Sequence, residues 1–302
     1  MKVLLATDSS ECSQIALASV LEMKWADDTE FKVITVVSLF EPFAMVDEIQ
    51  DSEVLLANKY VATVVTDVKT ALPQTKVSGE ALVGHTAYTI IEAATQFDAN
   101  LIVLGSHGRR GLSRFLLGSV SRGVLLSAPC AVRIVRRCDD AVKADKNVLV
   151  ALDNTAHSAH TLEHVLQAPW PEGTKFKCIS VIGDFEKFVF LDPMNAPGVT
   201  SERSDNRNSV STALEQSVAK LNGAFGQGSA SFEVLDGDPR EQILEAAKSW
   251  PASLIMLGSH GHKMIETAVL GSVSDAVATH AHCSVEVTRL PATKPAATHS
   301  KA

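Results

Sequence analysis

One glycine pattern, written twice, sets the strongest limit on how this chain can fold. Leu104-Gly105-Ser106-His107-Gly108, nine further residues and then Gly118-Ser119-Val120-Ser121 recur as Leu257-Gly258-Ser259-His260-Gly261, nine residues and Gly271-Ser272-Val273-Ser274. Each copy joins an apolar run to a helical pattern through a loop. Glycines at fixed spacing ahead of two hydroxyls let backbone N–H groups approach an anion where a helix dipole also favours negative charge. Phosphate is the anion that this points to.

The repetition extends well beyond the loops. Displacing the sequence along itself by 145 aligns Asp8 with Asp153, Leu21 with Leu166, Trp25 with Trp170, Phe31 with Phe176 and Val36 with Val181. Past about residue 40 the displacement becomes 153, aligning Gly84 with Gly237 and Glu92 with Glu245. The chain therefore reads as a tandem duplication whose second copy carries a longer excursion. The expected division is a first domain over 1–138, a linker over 139–146, a second domain over 147–290 and a disordered tail over 291–302.

Within each copy, short β-branched runs alternate with helical periodicity. Val3 to Ala6, Phe31 to Val37, Val77 to Val83, Leu101 to Leu104 and Ala131 to Val135 read as strands. Helices are expected after Ser9-Ser10, over Val54 to Leu72 up to Pro73, over Thr86 to Thr95 and over Gly118 to Ser127, with residues 38–52 irregular. In the second copy the long helix is expected around Val210 to Leu221. The fold class that follows is α/β: two tandem domains, each an open five-stranded parallel sheet with helices on both faces and right-handed crossovers. Ligands of such sheets bind beyond the carboxyl ends of the strands, which is where Asp8 and the glycine loop fall.

Composition narrows the function. A net charge of −8 over 302 residues argues against a nonspecific nucleic-acid binder. Five cysteines without a C-x-x-C pair fit a reducing compartment, and no apolar run is long enough to span a bilayer, so the expected location is the cytoplasm. His260, His262, His280, His282 and Cys283 are metal-capable and closely spaced, and whether they converge is left open. His107 and His260 read as hydrogen-bonding loop residues. Phe185, Phe188, Phe190, Leu191 and Met194 lie in the second excursion, read either as a loop over its own domain or as an association surface.

Both halves resemble the universal stress protein domain, whose nucleotide-binding members carry Gly-x2-Gly-x9-Gly followed by Ser or Thr. That resemblance implies ATP or a related adenine nucleotide, with or without Mg, as ligand. It places the binding residues at Asp8, Val36, Leu104, Gly105, Gly108, Gly118, Ser119, Val120 and Ser121, to which the charge of the loop adds Arg109. The second set is Asp153, Val181, Leu257, Gly258, Gly261, Gly271, Ser272, Val273 and Ser274. The aspartate and the strand-2 valine would meet the adenosine, and the loop and hydroxyls would hold ribose and phosphates. Asp8 and Asp153 also suit a plain helix-capping role.

The resemblance further implies an intrachain pair of domains joined through their last strands, where Arg133 and Glu286 lie, and it leaves a homodimer open. The two copies differ in charge. Residues 109–117 hold Arg109, Arg110 and Arg114, whereas 262–270 hold Lys263 offset by Glu266, so the first site is expected to bind a triphosphate more tightly. Ala281-His282-Cys283 replaces Ala128-Pro129-Cys130, which puts the last turn of the second copy in question. The function expected is a stress-response regulator in which nucleotide modulates domain or partner association, with a slow ATP hydrolase of the same fold, or a scaffold or carrier holding a non-nucleotide ligand such as an apolar one, as alternatives.

Overall fold

A computed structural model describes residues 1–38, 47–108, 117–136, 146–153, 155–183, 196–260 and 270–290. The first half runs β1 (Lys2–Ala6), α1 (Glu11–Leu21), β2 (Glu30–Val37), α2 (Asp47–Ala71), β3 (Lys76–Val83), α3 (Thr86–Phe97), β4 (Leu101–Gly105), α4 (Ser119–Ser127) and β5 (Ala131–Val135). The second repeats the order: β6 (Asn147–Ala151), α5 (Ala156–Gln167), β7 (Lys175–Ile182), α6 (Ala196–Phe225), β8 (Ala230–Asp236), α7 (Pro239–Ser249), β9 (Leu254–Gly258), α8 (Ser272–His280) and β10 (Ser284–Thr288).

All ten strands form one sheet in the order β3-β2-β1-β4-β5-β10-β9-β6-β7-β8. Within each half every pairing is parallel, and β5 and β10 join the halves antiparallel. The central strands are apolar almost throughout because both their faces are covered. One face carries a core that includes Leu4, Ile102, Val124, Ile255 and Val277, against α3, α4, α7 and α8. The other carries Phe31, Val103, Phe176, Leu221 and Met256, against α1, α2, α5 and α6. Both cores run unbroken from one half into the other. Duplicated details include Trp25 Nε1 donating to Val20 O and Trp170 Nε1 donating to Val165 O, each at 2.7 Å, with each indole edge-on to Phe31 or Phe176.

Three expectations need correction. Residues 47–52 belong to α2 rather than to an irregular segment, and α6 begins at Ala196, well before Val210. Acidic and polar residues at these helix starts give no apolar stripe, so periodicity cannot find them. The last turn of the second half is unaltered: Ala128 and Ala281 end their helices with nearly the same backbone, at φ −62, ψ 143 and φ −61, ψ 140. The chain turns alike before Pro129 and before His282. The aromatic cluster of 185–194, linker residues 139–145 and the tail over 291–302 lie outside the described residues.

Candidate functional site

Asp8 follows β1 and Gly105 ends β4, the two strands at which the order of each half reverses. The crevice there is a cleft of about 690 Å³, a size suited to a small organic ligand. Asp8, Val36, Leu104, Gly105, Gly108, Gly118, Ser119, Val120 and Ser121 all line it, so every expected first-half residue within the described chain meets in one place. Arg109, Arg110 and Arg114 are outside the described residues. The equivalent crevice of the second half, about 420 Å³, is lined by Asp153, Val181, Leu257, Gly258, Gly271, Ser272, Val273 and Ser274. Gly261, His262, Lys263 and Glu266 are likewise outside the described residues.

The three glycines of the first loop serve different needs. A Cβ at Gly105 would stand 2.7 Å from the Cys12 carbonyl carbon and 2.8 Å from its oxygen, so glycine lets α1 press against the end of β4. At Gly108 it would meet Asp8 Oδ2 at 2.7 Å, so this glycine makes room for the carboxylate. At Gly118 it would meet Ser106 O at 3.1 Å, the same oxygen that accepts the Gly118 N–H at 2.9 Å. Close packing, as much as access for an anion, explains the pattern.

Capping separates the helices by role. The N-cap of α1 is Ser10, whose hydroxyl accepts from Ser13 N, and that of α5 is Thr155, accepting from Ser158 N. Asp8 and Asp153 are therefore not the caps. Asp8 Oδ1 accepts the Ser10 N–H at 3.1 Å, while Asp153 Oδ1 accepts the Thr155 and Ser158 hydroxyls, both at 2.6 Å. By contrast α4 and α8 start at Gly118 and Gly271 with no side-chain cap, leaving their first-turn N–H groups directed at the clefts. Such a helix end attracts anions.

The second hydroxyl of each motif has a structural role. Ser121 Oγ donates to Gly105 O at 2.8 Å and Ser274 Oγ to Gly258 O at 2.7 Å, tying the helix start to the strand end. Both serines are buried, whereas Ser119 and Ser272 are exposed. His107 and His260 do have fixed partners: each Nδ1 lies 3.0 Å from the hydroxyl of the preceding serine. Burial, and then Arg136, push the His107 pKa down, favouring the neutral ring. Among the described residues no three of His, Cys, Asp and Glu converge as metal ligands, and His262 is not among them. Burial raises the Cys130 and Cys178 thiols to about 12, which leaves them unreactive packing groups.

Periodicity does not reveal the far rim of either cleft. In the first half it is His85, Thr86 and Ala87 at the start of α3, and in the second Asp238, Pro239 and Arg240 at the start of α7. The matched Gly84 and Gly237 are the available signal: both have positive φ, +154° and +130°, in the turn that brings these residues to the crevice. The rims differ in their bonding. His85 makes no side-chain cap bond, whereas Asp238 Oδ1 accepts the Arg240 N–H and its carboxylate pairs with the Arg240 side chain. That bonding holds the Asp238 pKa down at about 2. The first cleft thus faces two uncapped helix starts, and the second faces one beside a fixed carboxylate.

Comparison with known proteins agrees with this architecture. The model of the universal stress protein family matches residues 1–136 and again 145–289. The chain belongs to the universal stress protein family. Its relatives include a universal stress protein of Mycobacterium tuberculosis, 30% identical over 204 residues, a match covering 67% of this chain and 65% of that protein, just under two thirds of its length. One from Methanocaldococcus jannaschii is 31% identical over 145 residues, 45% of this chain and 82% of its own length. Among solved structures, a universal stress protein from Archaeoglobus fulgidus is 25% identical, with a TM-score of 0.65 over 97% of both chains. Among the described residues of this family member, no helix is long and apolar enough to cross a membrane.

Proposed function

We propose that this universal stress protein is a regulator that binds ATP or a related adenine nucleotide, most tightly in the first half. The observation that carries the reading is the convergence of Asp8, the uncapped start of α4 and apolar walls from Ile34, Val36, Leu104 and Val120 in one cleft. The carboxylate can accept from an adenine amino group or a ribose hydroxyl. The apolar strand ends suit the faces of the base, and the first-turn N–H groups suit phosphate oxygens. Where Mg accompanies the nucleotide, it neutralises phosphate charge. The three loop arginines add to the preference for the first half; in the second, Asp238 takes up an N–H at the start of α7 and pairs with Arg240, so that helix start offers less to an anion.

Several charge-assisted bonds of about 1.5–3 kcal/mol each, less the ordering costs, give a net of roughly −8 kcal/mol, a micromolar site. Native mass spectrometry of freshly purified protein should show a co-purifying nucleotide; a lipid would point to a carrier instead, and turnover above about 1 per second to an enzyme. In calorimetry with ATP, Gly118→Val should remove the tighter binding and Gly271→Val only the weaker. Equal losses would contradict the ranking of the sites. Asp238→Ala, which takes a carboxylate away from the second rim, is expected to tighten the second site by roughly two- to fivefold, the scale of one helix-end charge.

A further inference from the structure

The displacement of 153 that relates the later parts of the two halves maps Arg133 onto Glu286 and Arg122 onto Asp275. In the β5–β10 pairing Arg133 stands directly opposite Glu286, flanked by Ile134 opposite Val285 and Val132 opposite Val287. Position 133 therefore faces its own equivalent, on the axis that exchanges the halves. In a pair of identical domains such a position would meet its own copy. Here Arg133 Nε lies 2.6 Å from Glu286 Oε2, with the two side chains 3% and 0% exposed. His164 Nε2 reaches the other Glu286 oxygen at 2.6 Å.

The second pair obeys the same rule. Arg122 on α4 grips Asp275 on α8 with two bonds, of 2.9 and 3.3 Å. One pair of contacts away from the self-facing positions keeps the symmetry of the duplication. Arg136 Nη2 donates to Ala278 O and Thr279 O, while its equivalent Arg289 Nη2 donates to the equivalent oxygens of Leu125 and Leu126. That pair is alike on both sides, whereas at positions 133/286 and 122/275, where equivalents face each other, the charge differs in sign.

We infer that this face selects its partner: the β5 and α4 surface of the first half fits only an edge bearing carboxylates at these two positions, which is the second half of the chain. Pairing like with like between two chains would set Arg133 against Arg133, or Glu286 against Glu286, with water excluded. Like charges so placed repel, and a buried charge without its partner is strongly destabilising. Opposite signs on the two halves are therefore a device of specificity, of the kind that sets register and partner in other symmetric assemblies.

The test uses the full chain with a protease site inserted between residues 136 and 146, cut after purification. Native mass spectrometry should show one first half with one second half. Glu286→Arg and Arg133→Glu, each alone, should free the halves on cutting and lower the unfolding midpoint of the uncut chain by about 10 °C. The double reversal should restore pairing and regain about half of that loss, incompletely because His164 then faces an arginine. Mixing the two cut single variants should yield a crossed pair, in which the first half of the Arg133→Glu chain joins the second half of the Glu286→Arg chain. Arg122→Asp, Asp275→Arg and their double, at a partly exposed pair, give the same comparison if the buried variants fail to fold. The inference is overturned if cut wild-type halves form like pairs, or if neither double variant pairs better than its single variants.

Discussion

Gly105→Ala is expected to lower the free energy of unfolding by about 3 kcal/mol, the upper range for forcing a methyl into packed surroundings. The added carbon would meet Cys12 backbone at 2.7–2.8 Å, and backbone inside α1 cannot swing aside as a side chain can. Relief requires α1 to move off β4, which opens the core beneath Ala16 and Val103. Gly108→Ala is the instructive contrast. Its methyl would meet only the Asp8 carboxylate, so stability should stay within about 1 kcal/mol while nucleotide affinity falls, because the carboxylate must turn away. Gly258→Ala, whose methyl would stand 3.0 Å from the His157 Cβ, should fall between them. Urea unfolding beside ATP calorimetry reads both effects. A neutral Gly105→Ala would show that α1 is not pinned to the strand end.

The second large effect is acid sensitivity centred on Glu286. Burial alone would push this carboxyl up, but the charges of Arg133 and then His164 outweigh it and hold the pKa at about 2, below the ordinary 4.5. A carboxyl lowered in the folded state stabilises that state in full above about pH 4.5. The contribution fades as pH falls toward 2, and a difference of this size corresponds to about 3 kcal/mol. Denaturant melts from pH 7 to pH 2.5 should show that loss. Glu286→Gln should be less stable at pH 7 by about 3–5 kcal/mol, since Arg133 is left buried beside a neutral amide, and should decline less in acid. Replacing both partners, with Arg133→Met and Glu286→Leu, should restore stability near pH 7 without the acid sensitivity. A wild-type curve parallel to that of the double variant would remove Glu286 from the account.

Much of this was legible in the residues. The duplication, the strand runs and the membership of the loop residues in one crevice all follow from spacing, because a buried parallel strand has to be apolar on both faces. The start of α2 was not legible, since the acidic residues there continue no apolar stripe. Ser9-Ser10 did mark the cap of α1, which is Ser10, but spacing could not show that Ser121 and Ser274 turn back to their own strands, or that Thr155 rather than Asp153 caps α5. Those choices depend on distances of a few tenths of an ångström between groups that the pattern treats alike. The rim residues at 85–87 and 238–240 needed the three-dimensional turn at Gly84 and Gly237 to join the site.

The antiparallel junction of β5 and β10 has a consequence for access. Because it reverses the second set of strands, the carboxyl ends of the two sets, and with them the two crevices, open at opposite poles of the sheet. Across the strands alone the crevices lie four positions apart, about 19 Å at the usual spacing, which already exceeds two screening lengths at physiological salt. Ligands bound as proposed would therefore enter from opposite sides and barely sense each other's charge through solvent. Under the proposed function, a partner docked at one pole would read the occupancy of that crevice alone, giving a single chain two separately addressed surfaces.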